Sequence, residues 1–430
     1  MKTQNYRWII VALLFMATTI NYIDRQIIGL LKPILEAEFE WSESDFAKIV
    51  VAFTAAYAIG LLTFGRLIDK VGTKIGYSLS VIIWSLMGML HAAANGVVGF
   101  CIVRIGLGLG EAGNFPAAMK TVAEWFPKKE RALAAGIFNS GTSIGVVFAL
   151  IITPSILISY GWQQVFIITG GLGFIWLILW LWLYEIPKKQ RYLSKEEYSL
   201  ITEDEDHSEN EELTKPTKWI RLFTFPQTWA FIFGKFLIDP IFWFFLFWLP
   251  SYFSSTFNLD LTRPSLELMI IYSSTTIGSI AGGYFSSHLI KNGMASLKAR
   301  KTVLFIVAIL ELSIILAQYV TNVWAAVGLI SLAVAAHQAW ATNIFTTASD
   351  MFPKQAVSSV VGIGGMAGAI GGIFFPVFVG YLLDSYKISG NLSGGYNILF
   401  TLCGFTYFIT WTIIHLLTRK GDSVSLAEIQ

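Results

Sequence analysis

Residues 8–31 read WIIVALLFMATTINYIDRQIIGLL. The stretch is apolar for long enough to cross a ~30 Å hydrocarbon core as a helix, yet it sets an acid and a base, Asp24 and Arg25, side by side near its end. It is too long for a cleaved signal peptide and lacks a small-residue cleavage site. A charge at the centre of a bilayer costs at least ~2.5–3.5 kcal/mol on insertion scales. Such a residue is tolerated where it faces protein or a water-filled cavity. Arg104, Glu111, Lys235, Asp239 and His337 sit in other apolar stretches in the same way. Together these seven residues predict a polar pathway through a membrane; the plainer reading is a set of buried ion pairs that fix helix register.

Eleven further stretches of similar length follow residues 8–31: 46–68, 74–94, 97–120, 132–157, 163–185, 227–253, 265–288, 301–319, 323–349, 356–382 and 395–418. The 430-residue chain is 55% hydrophobic and 13% charged, with mean hydropathy +0.62. An all-α membrane protein with twelve transmembrane helices is expected. An even number of spans puts both termini on one side. With the N-terminus inside, the inner loops and tails hold 23 of the 30 Lys and Arg, and the outer loops hold four: Lys32, Lys48, Arg263 and Lys387. That asymmetry predicts cytoplasmic termini and a multi-pass membrane protein. The net charge of +2 is then a topology signal, and no nucleic-acid partner is expected. Both cysteines, Cys101 and Cys403, lie in spans, so no disulfide framework is indicated.

The chain repeats itself. Trp125-Phe126-Pro127-Lys128 matches Met351-Phe352-Pro353-Lys354, and the same offset of 226 aligns Gly136 with Gly362, Ile144 with Ile370 and Gly145 with Gly371. Ile59-Gly60 and Gly65 match Ile277-Gly278 and Gly283 at an offset of 218. A parallel duplication of six spans follows, with a substrate site expected near the midplane between the halves. The expected domains are an N-terminal six-helix bundle (1–185), a linker (186–226), a C-terminal six-helix bundle (227–420) and a tail (421–430). The linker's acidic run around residues 203–212 reads as solvated chain. The intramembrane charges fall in the first and fourth spans of each half. Glu311 in span 9 breaks that pattern and reads as a structural, interhelical hydrogen-bonding carboxyl.

The loop after span 2 reads Gly65-Arg66-Leu67-Ile68-Asp69-Lys70-Val71-Gly72-Thr73-Lys74. It resembles the signature of the major facilitator superfamily, in which glycine permits close helix approach and the acid and bases form an inner gate. Gly65, Asp69, Lys70 and Gly72 are the gating residues this implies. Asn21-Tyr22-Ile23-Asp24-Arg25, Arg104 and Gly110-Glu111-Ala112-Gly113-Asn114-Phe115-Pro116 resemble the anion:cation symporter family. So does Glu124-Trp125-Phe126-Pro127 with Glu130-Arg131. Lys235-Phe236-Leu237-Ile238-Asp239-Pro240, Phe247-Trp248-Leu249-Pro250 and His337-Gln338-Ala339-Trp340 look like the bacterial hexuronate (glucuronate/galacturonate) transporters. The resemblance covers nearly all of residues 1–420. It implies the major facilitator fold and carriage of an organic anion with a proton or sodium ion.

Helix rise places Asp24 and Arg104 each about seven residues below the outer surface, so that they can pair. Neighbouring residues point about 100° apart, which leaves Arg25 for an anionic substrate, gripped by its guanidinium fork. Glu111 lies two turns from Arg104, on the same face, and is the expected proton carrier. The resemblance assigns Asp24 and Glu111 to proton coupling and Arg25 to the substrate carboxylate. Packing readings stand beside these: ion pairing alone for Asp24 and Arg104, and a neutral Glu111 in glycine-rich packing. Lys235 and Asp239 are four apart and pair with each other or meet the substrate. Gln338 and Asn343 suit hydroxyls, and Trp243 and Trp340 suit a flat sugar face. His337 is a further candidate or a hydrogen-bonded core histidine. Tyr57 and Thr142 are placed by the resemblance at cavity-facing positions.

No phosphate loop, metal-ligand spacing or nucleophile elbow is present, so no enzyme activity, metal or cofactor is expected beyond a coupling proton, with sodium as the alternative. The sequence predicts a monomeric alternating-access importer of hexuronate-like sugar acids by proton symport. The rival is a carrier of aldonates (galactonate-like) or another small organic anion, sodium-coupled or exchanging.

Overall fold

A computed structural model of the chain describes residues 5–126, 128–202, 219–352, 354–419 and 424; at 62, 66, 69, 128–133, 219, 220, 349 and 354–359 it describes the backbone alone. The acidic part of the linker, most of the tail, Pro127, Pro353 and the side chain of Asp69 therefore lie outside the described residues. Sixteen α-helices run in chain order among the described residues. They are α1 (Tyr6–Phe39), α2 (Glu43–Val71), α3 (Thr73–Leu90), α4 (Gly96–Glu111), α5 (Asn114–Trp125), α6 (Lys128–Tyr160), α7 (Trp162–Leu183) and α8 (Lys195–Thr202). Then follow α9 (Pro226–Phe236), α10 (Asp239–Phe257), α11 (Leu266–Lys291), α12 (Ser296–Glu311), α13 (Ser313–Ala317), α14 (Val323–Met351), α15 (Lys354–Ile388) and α16 (Leu392–Leu417). No strand occurs among the described residues.

Every one of the twelve apolar stretches is helical. Ten helices, counting α4–α5 and α9–α10 as single spans, are long and apolar enough to cross a membrane among the described residues. The stretches at α11 and at α12–α13 fall outside that set. The first carries a run of Ser and Thr (Ser273 to Thr276) and ends in His288 and Lys291; the second opens on Lys298, Arg300 and Lys301.

Local chemistry sets the ends. Ser265 Oγ accepts from the Leu268 N–H at 3.2 Å, and Asn322 Oδ1 accepts from Trp324 and Ala325 at 2.8 and 3.2 Å, so α11 and α14 start on side-chain caps. Gly72, the N-cap of α3, has φ +85°, a conformation that penalises any Cβ. This gives the second glycine of the 65–74 stretch a backbone reason. At Gly65, by contrast, an added Cβ would meet nothing within 4 Å among the described residues, so the expected close approach is not made there. Lys70 is exposed.

The chain packs as two units. One comprises Met1–Leu35, Lys48–Thr214 and Thr262–Pro264; the other comprises Glu36–Ala47, Lys215–Leu261 and Ser265–Gln430. Within the first, α8 is clasped to the start of α1. Glu197 accepts from the Tyr6 and Arg7 N–H groups at 2.9 and 3.1 Å and from Arg7 Nη1 at 2.9 Å. Within the second, Asp384 accepts from the Glu43 and Ser44 N–H groups at 2.7 and 2.9 Å.

The repeat is visible in how glycines are used. A Cβ on Gly60 would fall 2.6 Å from Ala112 Cβ and 3.1 Å from the Leu109 carbonyl of α4; on its mate Gly278 it would collide with the Ala335 carbonyl of α14. Leu109 and Ala335 are themselves 226 apart. Gly145 of α6 is pressed against the Thr19 carbonyl of α1, and its mate Gly371 of α15 against the Phe236 carbonyl of α9. The two units thus bring their helices to closest approach at equivalent points, where only a hydrogen fits.

Candidate functional site

Three charged side chains converge in the first unit: Arg25 of α1, and Arg104 and Glu111 of α4, 3%, 1% and 0% exposed. Arg25 donates to one oxygen of Glu111, Oε2, from Nε at 2.9 Å and from Nη2 at 2.7 Å, and Nη2 also reaches Asn21 Oδ1 at 3.4 Å. The other oxygen, Glu111 Oε1, is buried and accepts no hydrogen bond among the described residues. Aromatic rings surround the guanidinium. Its Cζ stands 4.8 Å from the centroid of Tyr22, 5.2 Å from that of Phe53 and 4.8 Å from that of Tyr57. Arg104 stands over the same Phe53 ring at 5.2 Å.

The sequence expected Arg25 to be left over and Arg104 to pair with Asp24. Instead Glu111 holds Arg25, while Arg104 lies within electrostatic reach of Glu111, Arg25 and Asp24 alike. α1 is longer than its apolar run. The run weakens after Leu31, but Pro33 does not stop the helix, which continues to Phe39. Arg25 is therefore 14 residues from that end, and Glu111 is 15 from the start of α4. At 1.5 Å per residue both are roughly 21–23 Å in, and level. Asp24 lies within electrostatic reach of this group but is not among the hydrogen bonds that join Arg25 to Glu111. It packs near Gly88 of α3 and within reach of the Thr169 hydroxyl of α7.

The second unit is built around a helix break. α9 ends at Phe236 and α10 begins at Asp239, with Pro240 in its first turn, where a missing N–H costs nothing. Across the break Lys235 Nζ meets Asp239 Oδ2 at 2.7 Å and stands 4.2 Å from the centre of the Phe345 ring. Gly368 of α15 leaves room for the Asp239 carboxylate; a Cβ there would strike it. His337 Nδ1 and the Tyr407 hydroxyl share a hydrogen bond of 2.5 Å, and the imidazole stacks on Phe242 at 5.1 Å and 11°. Equivalent packing of Thr19 and Phe236 makes Phe242 the counterpart of Arg25, and the offset of 226 makes His337 the counterpart of Glu111. An ion pair in one half is thus a ring stack in the other.

The remaining candidates divide. Gln338 is half-buried and its amide makes no hydrogen bond among the described residues; Thr142 is likewise half-buried and without one. Trp243 is half-buried and stacks on Phe247 at 5.8 Å. Tyr57 is half-buried beside Arg25. Trp340 and Asn343, expected to face a sugar, are enclosed in packing. Trp340 is 1% exposed and meets Tyr407 edge-on at 5.4 Å. Asn343 Nδ2 donates to the Gly282 and Ala339 carbonyls at 3.0 and 2.9 Å, tying α14 to α11. Glu311, expected to hydrogen-bond between helices, is fully buried with neither oxygen bonded among the described residues. Sequence reasoning did not single out Tyr22 or Phe53. Tyr22 sits in the same run as Asp24-Arg25, but nothing in the sequence tells Phe53 from the chain's other apolar aromatics.

Chemically, the first unit offers a guanidinium already holding one carboxylate by a single oxygen, and so able to exchange it for another. No group of three or more His, Cys, Asp or Glu suited to a metal occurs among the described residues.

The chain is 29% identical over 414 residues to the Hexuronate transporter of Escherichia coli strain K12, covering 96% of this chain and 95% of that one. It is 30% identical over 398 residues to the Probable galactarate/D-glucarate transporter GarP of the same strain, covering 89% of each. In fold it matches the crystal structure of a bacterial homologue of the human lysosomal transporter Spinster, inward-facing and unoccupied. The TM-score is 0.78 at 19% sequence identity, over 99% of this chain and 100% of the other. The model of the Major Facilitator Superfamily matches residues 14–376. With its repeated glycine contacts, its buried charges in the first, fourth and seventh apolar stretches and that match across most of its length, the chain belongs to the Major Facilitator Superfamily.

Proposed function

We propose that this multi-pass inner-membrane transporter imports a hexuronate-like sugar acid by proton symport through alternating access. The observation that carries the reading is the one-sided grip of Arg25 on Glu111, with Oε1 left open. A proton arriving at Oε1 neutralises Glu111 and dissolves its ion pair. Arg25 then loses the carboxylate that neutralises it most directly, a costly change for a buried cation. A sugar-acid carboxylate relieves that cost and takes the guanidinium in a bidentate fork. Proton and anion thus help each other to bind, which is the linkage a symporter needs. Arg104 adds positive potential to the same group, and Asp24 balances it. Within the second unit, the Gln338 amide and the Trp243 ring have the chemistry for hydroxyls and a sugar face, and Lys235 is already neutralised by Asp239.

The test is uptake of labelled glucuronate, galacturonate, galactonate and galactarate into proteoliposomes under imposed proton or sodium gradients. Accumulation of the hexuronates on a proton gradient alone is expected. Accumulation on sodium alone overturns the coupling, and galactonate or galactarate taken up with hexuronates refused moves the substrate to an aldonate or aldarate.

A further inference from the structure

We propose that Phe53 is a positioning residue for anion capture: its ring holds the Arg25 and Arg104 guanidinium groups in place without adding a negative charge. The proposal rests on the reading of Arg25 as the group that takes the substrate carboxylate.

Both guanidinium carbons lie 5.2 Å from the centre of the Phe53 ring, within the ~6 Å at which an aromatic quadrupole attracts a cation. Tyr57 stacks on Phe53 at 5.9 Å and 18°, one turn further along α2, and supplies a second ring to Arg25. Phe53 is fully buried. Its backbone sits where α2 and α4 approach most closely: a Cβ on Gly108 would fall 2.5 Å from the Phe53 carbonyl. The ring therefore cannot follow a moving arginine; the arginine must stay with the ring.

Arg25 and Arg104 are like charges set about Glu111, and they repel each other strongly in a low-dielectric interior. A further carboxylate against Arg25 would quiet that repulsion, but it would compete with the substrate and bind protons of its own. A ring face stabilises both cations and does neither. When Glu111 lets go, Arg25 stays aimed.

The second unit supplies an internal comparison. The offsets of 218 and 226 take Phe53 to Ile271 and Arg104 to Ile330, both fully buried aliphatic residues. The ring occurs in the half that has the arginines and not at the same packing position in the half that lacks them.

The experiment uses purified full-length protein and whichever of glucuronate, galacturonate, galactonate or galactarate the wild type binds most tightly. Binding and thermal midpoint are compared for wild type, Arg25→Ala, Phe53→Leu and protein carrying mono-, di- or trifluorophenylalanine at position 53. Fluorination keeps the ring's shape and weakens its quadrupole. Affinity is expected to fall stepwise with each fluorine, reaching about tenfold, with only a small stepwise fall in thermal midpoint, and to fall by about tenfold or more in Phe53→Leu. Affinity flat across the fluorinated series, with Arg25→Ala unable to bind, overturns the role of Phe53 and leaves that of Arg25 intact. Normal binding by Arg25→Ala, or binding of none of the four acids by the wild type, overturns the parent reading and this one with it.

Discussion

Arg25 spends both of its forward hydrogen bonds on a single oxygen of Glu111, Oε2, and leaves Oε1 buried and unbonded among the described residues. A symmetric fork would occupy both oxygens and close the carboxyl to protons. The lopsided pair holds the cation while keeping a place for a proton, and most of the expected behaviour follows from it.

Arg25→Ala removes the partner of a buried carboxylate oxygen and the proposed anchor of the substrate. Truncating one member of such a pair costs about 2–5 kcal/mol, so affinity should drop roughly 30- to 4000-fold. Arg25→Lys should also transport poorly, because an ammonium offers a point charge and cannot stack within Tyr22, Phe53 and Tyr57. Radiolabel binding to purified variants checks both; near-normal affinity in Arg25→Ala excludes the assignment.

Glu111→Gln mimics the protonated carboxyl permanently. Substrate exchange in counterflow should persist, since exchange runs with the proton in place, while accumulation on a pH gradient should fail. Full accumulation by this variant would move the coupling proton elsewhere, with Asp24 and Asp239 the next to test. Loss of both activities would return Glu111 to a packing role.

Asp24 and Arg104 share an electrostatic neighbourhood with Glu111. Asp24→Asn and Arg104→Gln should each impair transport. The double variant should express better than Arg104→Gln alone, because it leaves no unpaired buried charge in that group. A coupling energy of about 0.5–3 kcal/mol is expected from the cycle; strict additivity would mean that the two residues act independently.

Asn343 ties α14 to α11 through the Gly282 carbonyl. Asn343→Leu should lower stability by about 0.6–1.7 kcal/mol, the range of polar contacts between membrane helices, and leave KM unchanged. A changed KM at unchanged thermal midpoint would bring Asn343 back among the substrate contacts.

Beyond the end of α7, burial pushes the Glu185 carboxyl up, but the hydrogen bond and charge of Lys74, 3.0 Å away, outweigh it and hold it below the ordinary glutamate value. A depressed carboxyl stabilises the fold above its unfolded pKa and loses that contribution as pH falls through the folded one. The pair is partly exposed, so the effect is within ~0–1 kcal/mol. Glu185→Gln should melt slightly below wild type at neutral pH and level with it once the pH drops under ~4; an equal difference at both pH values would show that the ion pair contributes nothing.

The reach of sequence reasoning differs from element to element. Stretches such as 74–94 and 395–418 need no tertiary knowledge to be recognised as membrane helices, because lipid leaves a backbone few other options. The duplication was equally legible: Gly60 with Gly278 and Gly145 with Gly371 recur at fixed offsets because each touches a neighbouring helix where only hydrogen fits. The identity of the buried charges was legible too, since a membrane makes every ionisable residue conspicuous. Their partners were not. Helical periodicity says which residues share a face, and it placed Arg104 and Glu111 together correctly. It does not say which face of a neighbouring helix meets them, and Arg25, expected to be left for the substrate, is the residue of α1 that pairs with Glu111. Nor does residue type say which side of a helix looks inward. Trp340 and Asn343 have the chemistry of sugar contacts, yet they are enclosed by Tyr407 and Gly282. Composition and spacing decided that this chain is a duplicated membrane helix bundle, because burial in lipid acts on each residue alone. Which charge meets which was left to packing, because a contact depends on two elements at once.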